Sequence, residues 1–121
     1  MTRPESLPRC ARVRRATEFR EIYQAGTAHR GRHLVLVVRA VGGEEEVRAG
    51  VVASRKVGGA VQRNRAKRLM REAYRKIRQE IRQPAALVLV ALKACAGSSA
   101  SEVQLELRTL LARAGLISGS A

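Results

Sequence analysis

Val61-Gln-Arg-Asn-Arg-Ala-Lys-Arg-Leu-Met-Arg-Glu-Ala-Tyr-Arg-Lys-Ile-Arg-Gln-Glu-Ile-Arg82 decides how the rest of the chain is read. It holds no Gly or Pro and is rich in good helix formers, which predicts about six turns of helix, roughly 30 Å at about 1.5 Å per residue. At about 100° per residue, Ala66, Leu69, Met70, Ala73, Ile77 and Ile81 fall on one arc, the face of a helix packed on a core. Tyr74 lies at the border of that arc and is expected to be half-buried. On the other side Asn64, Arg68, Arg71, Arg75, Arg78 and Arg82 follow at steps of four and three, flanked by Arg63, Arg65, Lys67 and Lys76.

Residues 63 to 82 carry nine Lys or Arg against two acids, Glu72 and Glu80. Like charges at helical spacing repel by a few tenths of a kcal/mol per pair. Such a row is a local cost that a bound polyanion relieves. A solvated helix face is the bland alternative, but the length and single sign of this row, with Asn64 offering both donors and acceptors, favour nucleic acid.

Moving outward, 121 residues allow one domain with a modest core. A formal charge of +14 and a pI near 11.5 belong to a nucleic-acid binder. All ten acids are Glu, and apart from Glu44-Glu45-Glu46, which reads as a loop, no carboxylates cluster as a metal-dependent nuclease requires. Cys10 and Cys95 stand apart from each other and from any His at ligand spacing, so two reduced thiols are expected rather than zinc. The longest apolar run, Ala85 to Leu92, is too short for a bilayer, and prolines and arginines stand where a signal segment would be apolar, so a cytoplasmic protein is expected; a cationic membrane-surface protein would usually set Trp or Phe beside its basic face, and this chain has no Trp and one Phe.

Met1 to Arg15, with Pro4, Pro8 and five arginines, reads as a flexible basic arm. Thr17 to Ala25 predicts a short helix capped near Thr17 and stopped by Gly26, with Phe19, Ile22 and Tyr23 on one side. Leu34 to Val41 and Val47 to Ser54 predict strands, joined across Gly42-Gly43-Glu44-Glu45-Glu46 as an antiparallel hairpin. Gly58 and Gly59 turn the chain into the long helix, which Pro84 ends. Ala85 to Leu92 is apolar without alternation, as in a strand covered on both faces. Ser101 to Ala114 predicts the last helix, with a Ser101/Gln104 capping box, a buried stripe of Val103, Leu107, Leu110, Leu111 and Ala114, and Gly115 as its stop. The fold class is α+β, one sheet with helices packed on it. A single domain spans residues 16–115, followed by a flexible tail at 116–121.

From Gly50-Val-Val-Ala-Ser-Arg-Lys-Val-Gly-Gly-Ala-Val61 into Arg63-Asn-Arg-Ala-Lys-Arg-Leu-Met-Arg-Glu-Ala-Tyr-Arg75, the sequence resembles the protein subunit of bacterial ribonuclease P. The Arg-Asn-Arg box opening a basic helix after a Ser-Arg-Lys-Val-Gly turn carries the resemblance. It extends through the Phe19/Tyr23 helix and most of the chain. It implies a two-layer α/β sandwich of order α-β-β-β-α-β-α, with a left-handed βαβ crossover contrary to the usual preference. It also implies an endoribonuclease ribonucleoprotein that removes the 5′ leader of precursor tRNA. In that particle the RNA subunit performs hydrolysis with Mg2+, and the protein alone is inactive, holds no cofactor and needs no protein partner.

By the same resemblance, Arg63, Asn64, Arg65, Lys67, Arg68, Arg71 and Arg75 dock on the RNA subunit. Phe19 and Tyr23 line a cleft for the single-stranded leader, with Arg55 and Lys56 at its rim and Val37 where the family often has a third aromatic. His29 and His33, four apart outside a helix, are expected to be solvated or RNA-facing rather than catalytic. Two other readings compete: a ribosomal or other structural RNA-binding module, and a protein-only nuclease, for which no catalytic constellation is visible.

Overall fold

The computed structural model describes residues 16–40, 47–82 and 85–117, with backbone alone at 16–19 and 40. The basic arm at 1–15, the Glu44–Glu46 loop, Pro84 and residues 118–121 lie outside the described residues. The element order is α1 (Ala16–Ala25), β1 (Thr27–Arg30), β2 (Leu34–Ala40), β3 (Arg48–Val52), α2 (Ala60–Ile77), β4 (Ala85–Ala91) and α3 (Ala100–Arg113).

The four strands form one mixed sheet in the order β1-β2-β4-β3. Here the expected hairpin fails: β2 and β3 are not neighbours, because β4 lies between them, antiparallel to β2 and parallel to β3. Composition explains the outcome. Apart from half-buried Val90, every β4 residue is buried, and a strand apolar on both faces loses least at the centre of a sheet. The parallel β3/β4 pair is joined through α2. β1 was not legible as a strand, since Thr-Ala-His-Arg is short, polar and mostly exposed, an edge without alternation.

Alternation along β2 and β4 divides the core. Leu34, Leu36, Leu87 and Leu89 face α2 and α3, meeting Leu69, Met70, Ile77, Leu107, Leu110 and Leu111 in the main core. Val37, Ala86 and Val88 face the other way and are covered by Ile22 of α1. Gly26 lets α1 run straight into β1. A Cβ there would sit 2.4 Å from the Ile22 carbonyl and 2.9 Å from the Val38 carbonyl, closer than any side chain tolerates.

Three helix details depart from expectation. α2 ends at Ile77 rather than Arg82, and a 3-10 turn, Arg78–Glu80, follows. The chain must reverse within a few residues to enter β4, and the tighter turn does this while Arg108 pairs with Glu80 and the Arg82 N–H donates to the Leu116 carbonyl. α3 is capped by Ser99, not Ser101. The Ser99 hydroxyl accepts the Glu102 N–H and the Glu102 carboxylate accepts the Ser99 N–H. These bonds to Ser99 hold the Glu102 carboxyl below its usual range. A carboxylate at this position accepts more strongly than the Gln104 amide and sits well in the helix field. Gly115 adopts φ 77° as the α3 stop, and the two residues after it, Leu116 and Ile117, expected in a flexible tail, are buried in the main core.

Tyr74 is 1% exposed rather than half-buried, and its hydroxyl has no hydrogen-bond partner among the described residues. Burial pushes its phenol up to about 12, against a smaller opposing pull from Arg78. An orphaned buried hydroxyl costs about 1–3 kcal/mol, so Tyr74→Phe is expected to leave stability unchanged or raise it by about 1 kcal/mol. Because the folded chain disfavours the phenolate, wild type should lose ground to the variant as pH rises from 10.0 toward about 12. Thermal melts of the two proteins at pH 7 and pH 10.5 check this. Destabilisation of the variant at pH 7 would mean the hydroxyl has a partner in solution.

Candidate nucleic-acid interface

α2 begins without a side-chain cap. Gly58, at φ 144°, and extended Gly59 turn the chain into its first residue, and no acid occupies its first turn. The positive end of the helix field therefore stands uncompensated beside the arginines. The predicted apolar arc is buried as expected at Ala66, Leu69, Met70, Ala73 and Ile77, and half-buried Ile81 packs against the same core.

The opposite face is open. Asn64, Arg65, Arg68 and Arg71 are exposed, while Arg63, Lys67 and Arg75 are half-buried. Among the described residues, none of these six cations forms an ion pair with a glutamate; the arginine–glutamate pairs found are Arg39 with Glu21 and Arg108 with Glu80. The Nε atoms of Arg63 and Arg75 are shielded from water and have no acceptor among the described residues. Arg65 differs, donating its Nε to the Ala96 carbonyl at 2.8 Å.

Of the expected cleft residues, Val37 faces away from α2, toward α1, the helix that carries Phe19 and Tyr23. Arg55 and Lys56 form an exposed 3-10 turn (Arg55–Val57) directly after β3. Tyr23 is 45% exposed on α1, with its phenol raised by partial burial. Phe19 belongs to α1, but its side chain lies outside the described residues. Val37 is not an open wall: it is 5% exposed, a floor beneath Ile22.

The open part of that face is a row sequence reading did not single out. Register aligns Val35 with Val90, and Val90 with Val52, three half-buried valines across β2, β4 and β3. Arg30 of β1 continues the row past Val35, and Arg55 and Lys56 come three and four residues after Val52 in the chain. Strand alternation could have shown that these valines share the Val37 face. Their adjacency depends on β4 being central, which the hairpin reading hid.

His33 is neither solvated nor RNA-facing. It is 9% exposed, with Nδ1 3.2 Å from Glu106 Oε1 and Nε2 3.6 Å from Glu102 Oε2. Half-buried His29 lies in β1. Among the described residues no three His, Cys, Asp or Glu side chains are placed to hold a metal ion, and no helix is long and apolar enough to cross a membrane. Burial, reinforced by the Glu106 charge, pushes the Cys95 thiol up to about 11, leaving it unreactive as a nucleophile.

The family model for ribonuclease P matches residues 7–115. The chain belongs to the ribonuclease P protein family. It is 45% identical over 112 residues to the ribonuclease P protein component of Desulfovibrio desulfuricans, covering 88% of this chain and 85% of that one. The same component of Clostridium acetobutylicum is 35% identical over 107 residues, covering 88% of this chain and 90% of the relative. Among solved structures, the RNase P protein from Thermotoga maritima superposes with a TM-score of 0.74 at 28% identity, over 84% of this chain and 96% of that one. Membership in the ribonuclease P protein family makes the chain a subunit of an endoribonuclease ribonucleoprotein, with an RNA as its partner.

Proposed function

We propose that this protein docks on the ribonuclease P RNA through Arg63, Asn64, Arg65, Lys67, Arg68, Arg71 and Arg75, and holds the 5′ leader of precursor tRNA on the α1 face of the sheet. The observation that carries the reading is the row of α2 cations without glutamate partners among the described residues. Arginine forks fit phosphate oxygens, and acceptorless Nε donors on Arg63 and Arg75 are groups an RNA backbone would satisfy. On the other face, Tyr23 offers a ring for stacking, at about 1–3 kcal/mol per base. The valine row gives sugar and base edges an apolar floor, with Arg30 beside it and Arg55 and Lys56 shortly after Val52 in the chain for phosphates. With Val37 covered, an unstacked leader base would rest on Val35, Val52 and Val90 instead.

In this reading hydrolysis belongs to the RNA subunit and its Mg2+. The protein's part is to bind, orient and neutralise, in the cytoplasm where precursor tRNA is made. Reconstitution with a bacterial ribonuclease P RNA at low magnesium is the test. The protein should raise cleavage of leader-bearing precursor strongly and bind it more tightly than mature tRNA, while RNA-free protein cuts nothing. RNA binding with no gain in cleavage would leave only a structural RNA-binding module.

A further inference from the structure

The Arg65 guanidinium is tied to the turn after β4, which the α2 helix touches near its N-terminal end. That turn is a 3-10 helix, Lys93–Gly97, between β4 and the Ser99 cap of α3. It is firmly built. Cys95 is fully buried, its N–H donates to the Leu92 carbonyl, and the Ser98 N–H and hydroxyl both donate to the Cys95 carbonyl. The Ala96 carbonyl then accepts the Arg65 Nε at 2.8 Å. Among the described residues one of the five guanidinium N–H donors is used, which leaves the four on Nη1 and Nη2 for an outside acceptor. In a 3-10 helix residues three apart eclipse, so Lys93 stands on the same edge as Ala96, and it is exposed.

We propose that the Lys93–Gly97 turn is a second wall of the RNA-docking surface, aiming the Arg65 fork at a phosphate of the RNA subunit and adding the Lys93 charge beside it. This rests on the α2 docking face assigned above. An arginine whose stem is already held gives up less rotamer freedom when its fork engages a phosphate, and its approach angle is set beforehand. Arg68, equally exposed, has no such tether among the described contacts and acts as a mobile charge.

The two arginines should therefore respond differently to a change that keeps charge and discards geometry. Affinity for the ribonuclease P RNA is measured for Arg65→Ala, Arg68→Ala, Arg65→Lys, Arg68→Lys and Lys93→Ala, with a thermal melt of each. Both alanine variants should weaken binding; Arg65→Lys should lose about tenfold against about twofold for Arg68→Lys, because lysine cannot make the fork. Lys93→Ala should lower the slope of log affinity against log salt by about one, the loss of one phosphate contact, with an unchanged melt. If the alanine variants bind as wild type does, the docking face itself is wrong and this wall falls with it. Weakened alanine variants with equal lysine variants and an unchanged Lys93→Ala slope would leave the face standing and overturn the wall. So would a lower melting temperature for Arg65→Lys with full RNA affinity, which would make the Ala96 bond a purely structural strut.

Discussion

Replacing Glu106 by Ala is expected to destabilise the fold by about 3–5 kcal/mol, a large share of the ~5–15 kcal/mol that holds a domain of this size together. The Glu106 carboxylate accepts the backbone N–H groups of Arg32, His33 and Leu34 at 2.7, 2.7 and 2.9 Å, and lies 3.2 Å from the His33 ring. Its side chain is 14% exposed, so water replaces it poorly. One residue of α3 thus fixes the turn between β1 and β2. Gly31 is part of the device, because a Cβ there would meet the Glu106 carboxyl carbon at 2.6 Å. Thermal melts should drop by more than ten degrees, at about 4 °C per kcal/mol for a chain near this length. Glu106→Gln, which keeps one acceptor oxygen, should fall between. Gly31→Ala combined with Glu106→Ala should cost less than the sum of the two, since each disturbs the same contact. A loss under about 1 kcal/mol for Glu106→Ala would mean that water solvates those amides after all.

Nothing in the sequence marked Glu106. It sits in α3 as one exposed-looking charge beside Leu105 and Leu107, and its partners are more than seventy positions away. Signals confined to one element were read correctly: the α2 arc, the double-sided apolarity of β4, the Gly115 stop. The hairpin failed because two strands joined by a short Gly-rich loop satisfy every local rule for pairing. The competing fact, that β4 is apolar on both faces and takes the central place between them, becomes decisive only when three strands are considered together. The Ser99 cap and the early end of α2 were missed by two to five residues for a related reason. Sequence offers two capping boxes, of which the one closed by the Glu102 carboxylate forms, and a continuous helix former, whose end is set by the tertiary bonds of Glu80 and Arg82.

The open cationic face of α2 was legible because charge and helical period are both local, and no glutamate folds back onto Arg63 to Arg75 among the described residues. The α1 face of the sheet was only half legible. Arg55, Lys56 and Tyr23 are exposed as expected, but which valines lie open beneath α1 depends on where Ile22 lands, and Ile22 covers Val37 rather than Val35, Val52 or Val90. The tie between Arg65 and a backbone carbonyl thirty-one positions away carries no residue-type signature at all.

Salt should act on this protein in two opposite directions. Binding to the ribonuclease P RNA should weaken by about a thousandfold between 50 and 200 mM salt if about six phosphates are neutralised by the α2 face, because each contact releases a condensed counterion that added salt drives back. Each of Arg63, Arg68, Arg71 and Arg75 changed to Ala should reduce the slope by slightly under one, and should do so alike for any sequence that keeps the RNA's shape. The free protein should respond the other way. With a formal charge of +14 its folded state works against its own repulsion, most strongly along α2, so the same rise in salt should raise its melting temperature. RNA then does at low salt what screening does at high salt, which is why the row of cations is tolerable in a helix that must also pack on the core. Affinity measured by titration across salt, beside melts of the free protein over the same range, tests both arms. A flat affinity would show that the α2 arginines do not meet phosphate, whatever surface the RNA then uses.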